Sequence, residues 1–293
     1  CMEFQQIHNT LNQFKNELGQ INNVIVVPSV NLFPIPSEII LGTYCNTNNK
    51  IPILHAADIG AAMEVLSKDY VELPSAFVGM GNPTSKNRGI QIPLNIVLRN
   101  SAAFNEDGIF DVEDLPPLPD ASQEVKNVSK LFDRSEVLLN VEASVSKALS
   151  ESQNNIENII LLATHGIRPS YESGIVIPSL LSSEDGELEL FESVKVERYD
   201  LDGDIVLLSA CDTASGFVDR PDLFFTGFVT SFANAGGDLM LASLWPVYSK
   251  ASQEVTETFV SKWKDSSIYE AIDSSKKAPQ NSRQSLPFVY IYP

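Results

Sequence analysis

Two runs of this chain are apolar without alternation: Ile159-Ile-Leu-Leu-Ala163 and Ile205-Val-Leu-Leu-Ser209. A strand with one face in water alternates apolar and polar side chains. A strand without alternation is covered on both faces, the condition of a strand inside a mainly parallel sheet. Both runs stop at residues that carry chemistry. The first continues Thr164-His165-Gly166, the second Ala210-Cys211-Asp212-Thr213-Ala214-Ser215-Gly216. In open parallel sheets the working residues sit just past the carboxyl ends of strands, so one edge of the sheet would receive a His and a Cys. A thiol with an imidazole nearby is the minimum set for a nucleophile and its base. A Cys in such a place is also an ordinary small core residue. With three His in the chain, a matched His-Gly at a second strand end turns the reading towards a Cys–His dyad.

Strand and helix signals alternate from residue 76 onward, which predicts an α/β fold with a mainly parallel sheet. Strands are expected at Ala76–Gly81, Glu136–Leu139, Leu239–Leu244 and Phe288–Tyr292, and helices over Ala121–Phe132, Ala143–Leu149 and Ala251–Trp263. The clearest helix covers 222–235: Leu223, Phe224, Gly227, Phe228, Ser231, Phe232 and Ala235 recur at helical spacing, and Gly236-Gly237 stops it. Gly174–Ile177 and Glu187–Leu190 would pair as a hairpin across Glu184-Asp-Gly186, and Lys276–Ser285 reads as polar and flexible. Before residue 75 the chain reads as a helix over 2–20, a strand at Ile21–Val27, a short strand at Ile51–His55 with a packing His55, and a helix at Ile59–Leu66. The expected division is an N-terminal helix and strand subdomain, 1–74, packed on the sheet of a main domain, 75–293. The Pro-rich, acidic stretch 84–119 reads as a surface excursion.

Charge excludes some partners. Lys and Arg number 20 against 38 Asp and Glu, a net −18, so a nucleic-acid or anionic-membrane surface is not expected. The three Cys, at 1, 45 and 211, show neither disulfide framework nor zinc spacing, which suits a reducing cytoplasm. No apolar run reaches membrane-spanning length, and residues 1–20 do not read as a signal peptide. A Cys ahead of Met2 is an unusual start and reads as an excised piece of a longer chain. Gly79-Met-Gly81-Asn-Pro-Thr84 lacks the third Gly and the following helix of a dinucleotide loop, so neither cofactor nor metal is expected.

Three segments together resemble a known family: Ala163-Thr-His-Gly166, Leu207-Leu-Ser-Ala-Cys-Asp-Thr-Ala-Ser-Gly216 and Ser243-Leu-Trp-Pro-Val247. In this order they resemble the motifs of CHAT-domain peptidases, caspase-like relatives of caspases, separase and gingipains. The resemblance runs from about Asn22 to the end. It implies a caspase-like three-layer sandwich with helices on both faces. It also implies a cysteine endopeptidase with Cys211 as nucleophile and His165 as its acid–base partner. The backbone N–H groups of Gly166 and Cys211 would then form the oxyanion hole. The implied partners are a protein substrate and a regulatory protein or helical-repeat domain, in bacterial defence or cell death. Calcium dependence occurs in some relatives.

The substrate pocket is expected at Ser209, Asp212, Trp245 and Val247. Asp212 is alternatively a turn cap, and Trp245 a core anchor. Separases carry an acid soon after the Leu-Trp segment that helps bind a basic P1 side chain. Tyr248 and Ser249 stand here, so an uncharged or mixed P1 is expected, with Asp219 and Asp222 the first suspects for a relocated acid. Two other readings compete with the peptidase: a catalytically silent caspase-like scaffold or binding module, and a thiol hydrolase acting on small molecules.

Overall fold

The computed structural model describes residues 24–27, 52–56, 59, 61–63, 72–86, 115–154, 156–167, 177–214, 227–280, 282–285 and 287–292. The expected helix at 2–20, the excursion between 87 and 114, the first part of the 222–235 helix, Cys1, Cys45, Asp219 and Asp222 lie outside them.

Among the described residues eight strands form one sheet. They are β1 (Val24–Val26), β2 (Ile53–Ala56), β3 (Ala76–Gly81), β4 (Arg134–Leu139), β5 (Asn158–Ala163), β9 (Ile205–Ser209), β10 (Leu239–Ser243) and β11 (Phe288–Tyr292). Their spatial order is β1-β2-β11-β10-β9-β5-β3-β4. The run β10-β9-β5-β3-β4 is parallel. β11 is antiparallel to β10 and parallel to β2, which is parallel to β1. The reversal at β11 follows from its connection. Two helices, α4 (Ser249–Trp263) and α5 (Ile268–Lys277), pack on each other between β10 and β11, and a paired-helix crossover returns the chain from the opposite end. β1 and β2, from the first 74 residues, extend the same sheet.

The unalternating strands divide their side chains between two cores. Ile159, Leu161, Ala163, Ile205 and Leu207 pack with Ala121, Val125 and Val128 of α1 (Pro119–Ser129) and with Val255, Phe259 and Trp263 of α4. The residues between them, Ile160, Leu162, Val206 and Leu208, pack with Val145, Ala148 and Leu149 of α2 (Val145–Glu151) and with Phe228, Val229 and Phe232 of α3 (Phe228–Asn234). Helices therefore cover both faces, the three-layer α/β sandwich the sequence predicts. A second sheet, β6 (Gly166–Ile167), β7 (Ser179–Glu184) and β8 (Glu187–Glu192), follows β5 directly.

Two elements differ from the sequence expectation. The hairpin turns at Asp185-Gly186, both with positive φ (52° and 87°), a pairing favoured in two-residue hairpin turns. Its first strand is Ser179–Glu184, next to the turn; residues 174–176 of the expected Gly174–Ile177 strand lie outside the described residues. Ser-Leu-Leu-Ser-Ser reads as too polar for a buried strand, yet its hydroxyls are satisfied. Ser182 Oγ accepts from Val145 N–H at 2.9 Å, and Ser183 Oγ donates to Thr84 O at 3.0 Å. The second difference is α5, whose end overlaps the stretch read as flexible. Ser267 caps it by accepting from Glu270 N–H at 3.3 Å, a Ser-x-x-Glu start signal. The buried Tyr290 hydroxyl and Ser275 Oγ of α5 lie 2.5 Å apart, which ties the helix to β11.

Candidate active site

β5 and β9 are adjacent and parallel, with Ala163 opposite Ser209. Two residues beyond this pair come His165 and Cys211, so equal steps past matched strand ends bring them to one level of the carboxyl edge. Period two gives them the facing of Ala163 and Ser209, and Cys211 does pack in the same core as Leu207. The two chains stay together past the strands: Thr164 N–H donates to Ser209 O at 3.3 Å. At Gly166 they nearly touch. A Cβ there would lie 1.9 Å from Cys211 O and 2.9 Å from Cys211 N, so only glycine permits the approach.

After Cys211 the chain turns sharply. Asp212 has φ 55°, the left-handed region that Asp tolerates better than most residues. The turn is pinned to β10: Ala214 N–H donates to Ser243 O at 2.8 Å, Ser243 N–H to Thr213 Oγ1 at 2.9 Å, and Ser243 Oγ to Ala210 O at 2.6 Å. Cys211 Sγ accepts from Val247 N–H at 3.2 Å, a donor that stabilises negative charge on sulfur when the thiol proton leaves.

His165 is held from another direction. Its Nε2 lies 2.7 Å from Pro116 O. A carbonyl can only accept, so Nε2 carries the proton and Nδ1 is the nitrogen left to receive one. The Pro116 segment is itself fixed: Leu118 N–H donates to Asn82 Oδ1 at 2.5 Å, while Asn82 N–H donates to Ala163 O at 3.1 Å. Leu115 packs under this segment against Ile167 and Leu181. The sequence reading did not find Pro116, because a backbone carbonyl has no side-chain signature. The nearest signal was the rigid Leu115-Pro-Pro-Leu118 run.

The remaining pocket candidates separate. Val247 lies beside Cys211 in the same core, and Ser209 Oγ sits 2.6 Å from Ser252 Oγ of α4. Trp245 is half-buried and packs against the core of the opposite layer. Asp212 is buried at the turn. His55 is buried in β2, and Asp204 and Glu184, the two carboxyls with perturbed protonation among the described residues, are parts of the scaffold described below. Both His165 and Cys211 are 1% exposed. Among the described residues no group of three or more His, Cys, Asp and Glu could hold a metal ion, and no helix is long and apolar enough to cross a membrane.

Known proteins resemble the chain in family and in fold. A family model, the CHAT domain, matches residues 3–288. No curated protein matches. Among solved structures, the complex of Porphyromonas gingivalis RgpB pro- and mature domains aligns with a TM-score of 0.58 at 8% identity, covering 98% of this chain and 68% of that one. The Arg-specific cysteine proteinase gingipain R aligns with a TM-score of 0.54 at 10% identity, over 98% and 66%. The Saccharomyces cerevisiae separase–securin complex aligns with a TM-score of 0.53 at 13% identity, over 93% of this chain and 16% of that one. At such identities the structural likeness speaks to fold alone. It is the fold of caspase-like cysteine peptidases, and with a family model spanning nearly its whole length, this chain belongs to the CHAT domain family.

Proposed function

We propose that the chain is a cysteine endopeptidase working through Cys211 and His165. The observation that carries this is the paired register of β5 and β9, which supports a thiol and an imidazole at one level of one sheet edge. In the proposed reaction His165 Nδ1 takes the Cys211 proton and Sγ attacks the peptide carbonyl, whose oxygen becomes an oxyanion. The backbone N–H groups of Gly166 and Cys211 stabilise that charge, and their closeness supports the pairing. The imidazolium returns the proton to the amine as the C–N bond breaks, and an acyl-thioester remains. Water, deprotonated by His165, then releases the acid and restores the thiol. Pro116 O acts as a positioning group: it accepts from Nε2–H and favours the imidazolium formed midway.

The burial of both reacting side chains supports a resting state that opens on a signal. A protein partner is a reasonable signal, because the separase among the similar structures is a complex with securin. The family resemblance supports a setting in bacterial defence or cell death, and a free catalytic thiol suits a reducing cytoplasm. The same burial favours a second reading, a silent caspase-like scaffold. One experiment separates them: lysate proteins are incubated with the wild-type chain and with Cys211→Ala, and new N-termini are sequenced. Cut sites present only with Cys211 support the peptidase. Identical N-terminal profiles, together with no His165-dependent labelling by an acyloxymethyl ketone, would favour the scaffold.

A further inference from the structure

The Gly79-Met-Gly81-Asn82 stretch that ends β3 is no dinucleotide loop, and the proposed reaction leaves it without a task. Its place in the sheet gives it one. β3 lies between β4 and β5 and is parallel to both. Gly81 stands opposite Leu139 of β4 and Ala163 of β5, so the next residue, Asn82, falls between Asn140 and Thr164. Asn82 and Asn140 both have φ 57°, a left-handed conformation that Asn adopts more readily than most residues. Gly81 lets α1 come down onto this corner: a Cβ there would lie 2.8 Å from Ala121 O in the first turn of the helix. Three hydrogen bonds then leave Asn82 for three different segments. Its N–H donates to Ala163 O at 3.1 Å, two residues before His165. Its Oδ1 accepts from Leu118 N–H at 2.5 Å, and its Nδ2 donates to Asn140 Oδ1 at 2.9 Å. The Leu118 donor fixes the amide orientation, since only the oxygen can face an N–H.

The prolines around Leu118 make that bond decisive. In Pro116-Pro117-Leu118-Pro119 the prolines have no N–H, so Leu118 N–H is the one backbone donor by which this segment can be hung on the sheet. The prolines also make the segment stiff. Peptide planes are rigid and the ring locks φ of Pro117, which leaves ψ of Pro117 as the one soft torsion between Leu118 N and Pro116 O. Holding Leu118 N–H therefore holds Pro116 O, and Pro116 O accepts from His165 Nε2–H at 2.7 Å. Asn82 thus ties down both ends of the His165 contact. Its main chain grips the strand that carries the imidazole, and its side chain grips the carbonyl that meets the ring. Asn140 holds the amide from behind, so that its oxygen keeps facing Leu118.

We infer that Asn82 is a positioning residue for His165: it fixes the Pro116 carbonyl that holds Nε2–H, and with it the orientation of the ring. The catalytic meaning of this rests on the peptidase reading, while the coupling of Asn82 to His165 is measurable without turnover.

The test uses the full chain with its histidine nitrogens labelled for NMR. The chain has three His, and the His165 signals are identified by their loss in His165→Ala. The wild type should show an Nε2-bound proton on His165 that is protected from exchange with water. Asn82→Gly removes the amide at a position whose positive φ suits Gly, and there the proton should exchange about tenfold faster, the scale of one net hydrogen bond. Asn82→Asp keeps an acceptor for Leu118 N–H, and the exposed Asn140 can turn its own amide to donate, so most of the protection should return. Asn140→Gly, at a second positive-φ position, should give an intermediate rate. Exchange at the wild-type rate in both glycine variants overturns the inference. So does an equal loss of protection in Ser275→Ala, which removes the buried contact with Tyr290, because the effect would then be general loosening. A second arm follows cleavage of a peptide spanning a cut site mapped in lysate. Asn82→Gly should lower kcat by up to about 100-fold, as misplacing a catalytic group by about 1 Å does, with KM little changed and activity recovered in Asn82→Asp. An unchanged kcat overturns the positioning role. Faster exchange in Asn82→Gly with no Cys211-dependent cleavage in any protein would sink the peptidase reading and leave the coupling of Asn82 to His165 standing.

Discussion

At the scale of single residues, two side chains and one missing side chain carry the proposed site. Replacing Cys211 by Ala removes the sulfur at a position where Ala packs without strain, so peptide cleavage should vanish while the unfolding midpoint in urea moves little. His165→Ala should also abolish cleavage, and it removes the donor to Pro116 O, so some stability should go with it. Gly166→Ala is the sharper probe. Its methyl group would have to displace the Cys211 backbone, and overpacking of this kind costs about 1–3 kcal/mol. Loss of Cys211 labelling by a small thiol electrophile, with circular dichroism unchanged, is the expected result; labelling at the wild-type rate would show that the close approach has no bearing on the site. Cys211, His165 and Gly166 could be picked out of the sequence as candidates because each stands beside an apolar run whose end is easily seen. Pro116 was not, since a backbone carbonyl acquires meaning only through a partner far along the chain.

At the scale of elements, the strands were the legible part, because burial on both faces leaves an unalternating run that needs no context. The serine-rich pieces were not, and the start of α2 shows why. Ser144 caps the helix by accepting from Lys147 N–H at 2.9 Å, and it also donates to the Glu184 carboxylate at 2.7 Å. Ser182 and Ser146 donate to the same carboxylate at 2.6 and 2.7 Å. Burial pushes the Glu184 carboxyl up, but the hydroxyls of Ser182, Ser144 and Ser146 and the Ser146 backbone together hold it below its ordinary value. A lowered carboxyl stabilises the fold above the unfolded value of 4.5 and loses that contribution as pH falls. Ser144→Ala should cost about 1 kcal/mol from the cap alone. The measured loss should be larger at pH 7 than at pH 4, which lies below the unfolded value of 4.5. An equal loss at both values in urea titrations would mean that Glu184 takes no part in the cap.

At the scale of the whole molecule, Asp204 makes stability run the other way with pH. It sits just before β9, buried, at the end of the sheet opposite Cys211, and it accepts from Asn158 N–H of β5 at 2.7 Å. Burial raises its carboxyl from 3.8 to about 6, against the opposing bonds from Asn158 and Ser152 and with help from the charge of Glu157. In the unfolded chain the group ionises near 3.8, so between there and about 6 the folded protein binds the extra proton. Stability from this group is therefore full below pH 3.8 and is lost as pH rises through 6. The net charge of −18 acts in the same direction, since self-repulsion grows as carboxyls ionise. Salt separates the two, because it screens surface charge far more than a buried group. In 0.5 M sodium chloride, a concentration chosen to bring the Debye length to about 4 Å, the wild-type urea midpoint should still fall from pH 4.5 to pH 7. Asp204→Asn keeps an acceptor for Asn158 but cannot ionise, so its midpoint should change less over that interval. The difference belongs to β5 and β9, the two strands whose far ends carry His165 and Cys211. A parallel fall in both proteins would assign the pH dependence to surface charge and leave Asp204 a neutral part of the strand junction.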